Sequence, residues 1–401
     1  MDTFLENIYD ILDRKTKEIK ELKSQQKLQV KVNSVKNLNH IELCKPGRYP
    51  HPIIYNEITK SKNYDKETHY RLSLNTSSNE DYNELSHINI YLHGSVNTKT
   101  RVSKNIENAL ICLMMLYELS KTCNTRHYFK EIHIYLFLTP FTKTLPKESF
   151  NHQITTPLGS FHINSGVTRH NSYNGEILIY REEEWFKLLL HESIHLLGFD
   201  RHLIENSINN ITLMQYFHIN QDLKHNEGYT ELMAQILQCV YISYKKGKSV
   251  VQRKKKWSKC IELEKKHSIL QIKKLLRYMK IEPIEFLTNT NTFINNYKEE
   301  TNIFSYYIIK TILLYNLPSL FSSIIPYDLC ITKDKTYLLP YFIIRCFEDK
   351  TNNLFRKHIL NLRSLSKKKT KKKSSKNKSK KKTHKYSSKS LRMAYHDVID
   401  L

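Results

Sequence analysis

Residues 182–198 read EEEWFKLLLHESIHLLG, and no other stretch of the chain constrains its fold so tightly. Trp185, Leu188, Leu189, Ile194 and Leu196 fall on nearly every side of the helix predicted over 182–197, so that helix is buried on most of its surface. Glu182, Glu183 and Glu184 occupy its expected first turn, where negative charge complements the helix dipole. Gly198 stands where a left-handed cap commonly ends a helix. Two histidines and a glutamate inside such a helix need partners, because burying them unpaired is costly.

Spacing says what those partners could be. Residues four apart on an α-helix lie one above the other, so His191 and His195 can direct ring nitrogens at one ion about 2.0–2.1 Å away. Glu192 is turned by about 100° from His191, which sets its carboxylate beside such an ion, in position to take a proton from water. A structural alternative leaves both histidines bonded to polar groups of the core.

A second stretch, HNEGYTELMAQ over 225–235, weighs against that alternative. A tetrahedral catalytic zinc takes three protein ligands and leaves one position open. Glu227 follows His195 by 32 residues, enough for a loop and a new helix. Glu227 and Glu231 again share a helix face, so one can bind the ion while the other orients a ligand histidine.

His-Glu-x-x-His followed by Asn-Glu-Gly-Tyr-Thr resembles the gluzincin clan of zinc metallopeptidases over about 182–235. The resemblance implies Zn2+ held by His191, His195 and Glu227, Glu192 as catalytic base and Glu231 in contact with a ligand histidine. It also implies a peptide or protein substrate. The whole arrangement is similar to zincin-like proteins of giant DNA viruses, and the abundance of Lys, Asn, Ile and Tyr fits an AT-rich genome. A metzincin pattern remains open, since Gly198 follows His195 by three. That pattern requires His or Asp at position 201, where Arg stands between Asp200 and His202; Met214 could serve as its Met-turn, though a lone Met in an apolar stretch is usually core. Tyr229, His218, His225 and tyrosines of the helical part are candidates for an oxyanion donor, none of them singled out by spacing.

Elsewhere, apolar positions at helical spacing make 3–27 an amphipathic helix docked on the body. Residues 30–85 are turn-rich and uninformative. Strands are expected at 87–92, 131–140, 159–166 and 175–181, with a helix over 103–121. Helices are expected at 227–245, 252–280, 283–296, 300–316 and 350–364. The expected class is α+β: a zincin-like lobe with a mixed sheet and the histidine helix, followed by an all-helical lobe and a disordered basic tail. The corresponding divisions are an N-terminal helix and linker (1–45), a zincin-like domain (46–250), a helical domain (251–363) and a tail (364–401).

Net charge is +25, and residues 366–392 hold 13 Lys and one Arg with no acid, which leaves +11 for everything else. Such a run cannot bury enough apolar surface to fold. It suits non-specific, salt-sensitive contact with nucleic acid, nuclear targeting, or a solubilising role. The expected tail is dispensable for folding, except that MAYHDVIDL at 393–401 could form a short docking helix. Seven scattered cysteines without a C-x-x-C pair argue against a disulfide scaffold and a thiolate metal site. The start of the chain lacks a signal-peptide core. The apolar region 303–326 is interrupted by Lys310, Asn316 and Pro318 and falls short of a membrane span. The expected setting is intracellular, cytoplasmic or nuclear, or a virion for a viral protein. The reading is a zinc-dependent peptidase; the alternative is a catalytically silent zincin-fold structural or nucleic-acid-associated protein.

Overall fold

The computed structural model describes residues 1–34, 52–64, 66–74, 84–123, 128–146, 157–170, 173–206, 208–219, 223–325, 329–350, 354–361 and 389–397. The architecture is α+β. Six strands form one mixed sheet: β1 (Leu28–Ser34), β2 (Lys66–Ser73), β3 (His87–His93), β4 (Glu131–Thr139), β5 (Gly166–His170) and β6 (Asn174–Arg181), in the order β1-β2-β3-β4-β6-β5. The central β3, β4 and β6 are parallel, and their apolar runs suit strands covered on both faces. The β1–β2, β2–β3 and β5–β6 pairs are antiparallel, which leaves β5 as an edge running against its neighbour.

The first helix, Asp2–Ser24, buries Phe4, Ile8, Ile11, Leu12, Ile19 and Leu22 against the body, with Tyr9 hydrogen-bonded to Ser243 at 2.7 Å. A single apolar cluster joins Phe4, Ile90, Leu136, Tyr229, Ile272 and Phe355, so that helix, the sheet and the later helices share one core. No helix of the described residues is long and apolar enough to cross a membrane.

Several expectations need correction. The strand expected at 159–166 is a helical turn, Ser160–Ile163, and β5 begins only at Gly166. The turn closes because the Gly159 N–H donates to His162 Nδ1 at 3.2 Å, and alternating Phe161 and Ile163 fit a turn as well as a strand. The histidine helix starts at Trp185, not 182. Its three glutamates do not fill a first turn, because each is engaged elsewhere: Glu182 by Arg101 and Thr98, Glu183 by the Lys143 N–H, Glu184 by Lys143 Nζ. The helix expected at 283–296 is two, Pro283–Thr288 and Asn291–Asn296, parted where left-handed Asn289 (φ +54°) hydrogen-bonds to the Tyr216 carbonyl at 2.6 Å. The one expected at 300–316 is a π-helix, Phe304–Ile309, continued by Lys310–Tyr315. Residues 30–85, unreadable in sequence, supply β1, β2 and the helix Pro52–Lys60.

Two further corrections concern cross-links and the chain's last stretch. Cys123 and Cys330 are joined by a disulfide, with Cα atoms 5.8 Å apart and a sequence separation of 207, which scattered spacing could not reveal. The lysine run 366–388 lies outside the described residues. Residues 389–397, assigned above to a dispensable tail, pack into the core: Leu391 and Ala394 are fully buried, and the segment is not helical.

Glu299 shows how burial tunes this core. It accepts hydrogen bonds from Tyr297 at 2.8 Å and the Phe304 N–H at 2.7 Å, and burial pushes its carboxyl from 4.5 up to about 7. A folded pKa above the unfolded one means that this contribution to stability is lost as pH rises from 4.5 through 7. Glu299→Gln should therefore gain about 3 kcal/mol relative to wild type between pH 4 and pH 8, read from urea unfolding. An unchanged difference would show that Glu299 ionises normally.

Candidate metal centre

The helix Trp185–Leu196 packs against β5 and β6 on one side and the helix His225–Lys246 on the other. It stops where expected, with Gly198 left-handed at φ +78°. The second helix meets the π-helix closely because residue 228 has no side chain: a Cβ there would come within 2.8 Å of Ile309 Cγ2 and 2.9 Å of the Ser305 carbonyl. That close approach brings Tyr306 over Glu227.

Three atoms converge between these elements. The Nε2 atoms of His191 and His195 are 3.1 Å apart, and Glu227 Oε2 is 3.4 Å from each. Ligand atoms bound about 2.0–2.1 Å from a tetrahedral ion are separated by about 3.3–3.4 Å. The observed triangle has the dimensions of one face of that tetrahedron. Among the described residues this is the one trio of His, Cys, Asp or Glu side chains close enough to share an ion.

The other side of each imidazole is also engaged. Asp200 Oδ2 lies 2.7 Å from His195 Nδ1 and is held by Asn226 Nδ2 at 3.1 Å. Glu231 Oε2 lies 3.2 Å from His191 Nδ1, while its other oxygen accepts from the buried Lys187. Such carboxylates fix the tautomer and orientation of ligand imidazoles. Glu192 stands beside the triangle without belonging to it, and the Thr168 hydroxyl from β5 reaches its carboxylate at 2.7 Å. Tyr306 donates to Glu227 Oε2 at 3.0 Å.

Charge in this pocket is strongly coupled. Burial works to lower the His195 imidazole, but Asp200 and Glu227 overcome it and hold it well above the usual histidine range. His191 is raised likewise, with burial opposed by hydrogen bonds to Glu227 and Glu231. For Glu231, burial is outweighed by Lys187 and His191, which bring it down to about 2. Glu192 moves the other way: burial pushes its carboxyl up despite the two histidines. The pocket is thus a negatively charged cage that attracts protons, or a cation, to the paired imidazoles.

All of this opens on a cavity of about 740 Å³ lined by Val167, Thr168, Glu192, Tyr306 and the triangle itself. Two imidazoles, one carboxylate and open space opposite them suit a catalytic zinc.

His191, Glu192, His195, Glu227 and Glu231 are thus brought together. Asp200 reaches the site as a partner of His195 and not as a member of the triangle. His202 pairs with Glu205 at 3.3 Å, away from it, and Met214 packs against the core. The named oxyanion candidates lie elsewhere: Tyr229 donates to the Leu329 carbonyl, His225 is held by Asn210 at 2.6 Å, and His218 is exposed. Tyr306, one of the tyrosines of the helical part, is the one that reaches Glu227, and no spacing in the sequence could have singled it out. Thr168 and Lys187 carry no sequence signal either, whereas Asp200, five residues after His195, stands close enough in sequence to be read as a partner of it. Comparisons with protein-family models, curated proteins and solved structures gave no match.

Proposed function

We propose that the chain is a zinc-dependent metallopeptidase of the gluzincin type. The observation that carries this reading is the triangle of His191 Nε2, His195 Nε2 and Glu227 Oε2, with sides of 3.1–3.4 Å and a buried carboxylate, Glu192, beside it. A zinc ion held by those three residues supplies Lewis acidity and brings the pKa of water towards about 7. Glu192 Oε accepts the proton from the attacking water and returns it to the leaving amine. Thr168 holds that carboxylate against β5, fixing its distance from the scissile bond. An extended peptide lies along β5, the edge strand that lines the cavity. The same donor set also suits Fe(II); a carboxylate placed for proton transfer favours hydrolysis.

The Tyr306 hydroxyl donates to one corner of the triangle at 3.0 Å, and its O–H is placed to turn from Glu227 to the oxyanion that develops at the attacked carbonyl. Tyr306→Phe should retain zinc and leave KM nearly unchanged while lowering kcat by about 10²–10³-fold. A rise in KM alone, with kcat unchanged, would remove Tyr306 from the reaction.

The activity itself is tested on a fluorogenic peptide library with the zinc-loaded full chain. Hydrolysis blocked by 1,10-phenanthroline and restored by zinc is expected. A second reading, a silent zincin-fold protein associated with nucleic acid, draws on the 13 lysines of 366–392. Salt-sensitive nucleic-acid binding with no hydrolysis from zinc-loaded protein would favour it.

A further inference from the structure

Residues 389–397 lie in the core outside any helix, tied to the rest of the fold by one bridge between Ser390 and Thr144 and by contacts to their backbone. Those contacts come from side chains. Buried Glu184 accepts the N–H groups of Met393 and Ala394 at 3.2 and 2.6 Å, and buried Glu264 accepts those of Tyr395 and His396 at 2.8 and 3.0 Å. Two carboxylates from different elements thus hold four consecutive amides. The carbonyls are met in the same way: His267 Nε2 lies 2.9 Å from that of Arg392, Gln235 Nε2 lies 3.3 Å from that of Met393, and Gln238 Nε2 lies 3.3 Å from that of His396. Leu391 and Ala394 fill apolar space, while Tyr395 is turned to solvent. Reading a chain through its amides and carbonyls, with pockets for some of its side chains, is how proteins hold extended peptides.

The groove is wired to the metal centre. Glu184 also accepts from Lys143 at 3.1 Å, and its charge acts on Lys187 three residues along the chain. Lys187 donates to Glu231, whose other oxygen faces His191 Nδ1 at 3.2 Å. Met393 itself lines the cavity that holds His191 and Glu192. With the segment gone, Glu184 keeps a buried charge but loses two amide donors and the Arg392 guanidinium, 3.9 Å away. Lys187 is then drawn towards it and away from Glu231, and His191 loses its fixed orientation.

We propose that this groove is a main-chain-reading peptide site, that residues 389–397 are its in-cis ligand, and that its occupancy holds His191 in position. The groove stands on the contacts above; its effect on His191 as a ligand rests on the metallopeptidase reading.

Hydrogen exchange of the wild-type full chain, followed by mass spectrometry, tests the groove without any substitution. Amides 393–396 should exchange by local opening, at least about 10-fold faster than the slowest amides of His225–Lys246. Exchange of both at one common rate would make the segment a fixed part of the core and overturn the proposal. In the full chain, Leu391→Asp puts a charge into apolar space and should expel the segment; Glu184→Gln, which keeps the shape of the site, is the milder variant. A labelled synthetic peptide of residues 389–401 should bind Leu391→Asp and not wild type. Both variants should lose zinc to a chelator at about 10–100-fold lower concentration than wild type, and the peptide should restore retention in Leu391→Asp. Peptide binding with wild-type zinc retention in both variants would overturn the link to His191. A wild-type chain without zinc would overturn the metal reading and that link together, while exchange and peptide binding would still decide the groove.

Discussion

Glu192→Gln should keep its fold and its zinc and lose about 10²–10⁴-fold in peptide hydrolysis. The side chain is nearly isosteric, and the Thr168 hydroxyl can still donate to the amide oxygen, so the local structure has no reason to change. The proton acceptor is what disappears, since a neutral amide cannot take the proton of the attacking water. Glu192 lies outside the triangle of Nε2 and Oε2 atoms, so the three residues proposed to hold an ion are untouched. Melting temperature and zinc content equal to wild type, with kcat/KM reduced by that factor on any substrate found, is the expected result. Near-normal turnover would show that another group serves as base.

Glu227→Ala should release the metal, and the neighbouring substitutions should rank behind it in an order set by distance. Glu227 Oε2 is one corner of the triangle, 3.4 Å from each imidazole. Removing it leaves two histidines, too few for a stable catalytic site. Asp200→Ala and Glu231→Ala remove carboxylates that orient His195 and His191, at 2.7 and 3.2 Å, and should weaken affinity by about 10–100-fold. His202→Ala should have no effect, because His202 faces Glu205 on an outer turn. Titration with a chromogenic chelator separates the three classes. Should His202→Ala strip the metal while Glu227→Ala spares it, the metzincin alternative would replace the gluzincin one.

Much of the site was legible because its signals are local. His191, His195 and the Glu227–Glu231 pair each lie four residues apart, and helical geometry alone sets such pairs on one face. The central strands were legible for a similar reason, since β3 alternates apolar and polar residues while β4 is an apolar run ended by Pro140 and the apolar stretch of β6 follows Gly175. What escaped depends on distant contacts. Tyr306 reaches Glu227 only because a π-helix lies against Gly228 across 79 residues of chain. Glu184 reads as dipole complement in a run of acids, yet it is an acceptor for backbone amides more than 200 residues away. Residues 389–397 were hidden by their neighbours: the acid-free basic composition extends through Arg392, yet Leu391, Met393 and Ala394 are buried. Short segments such as 159–166 failed because four or five residues fit a turn and a strand equally well.

Elemental analysis of the full chain purified without chelators decides whether His191, His195 and Glu227 hold an ion. About one zinc per chain in wild type is expected, with none retained by His195→Ala at an unchanged fold. Wild-type protein with no zinc, taking up none on addition, would leave the triangle as a hydrogen-bonded cluster inside the core and no metal centre.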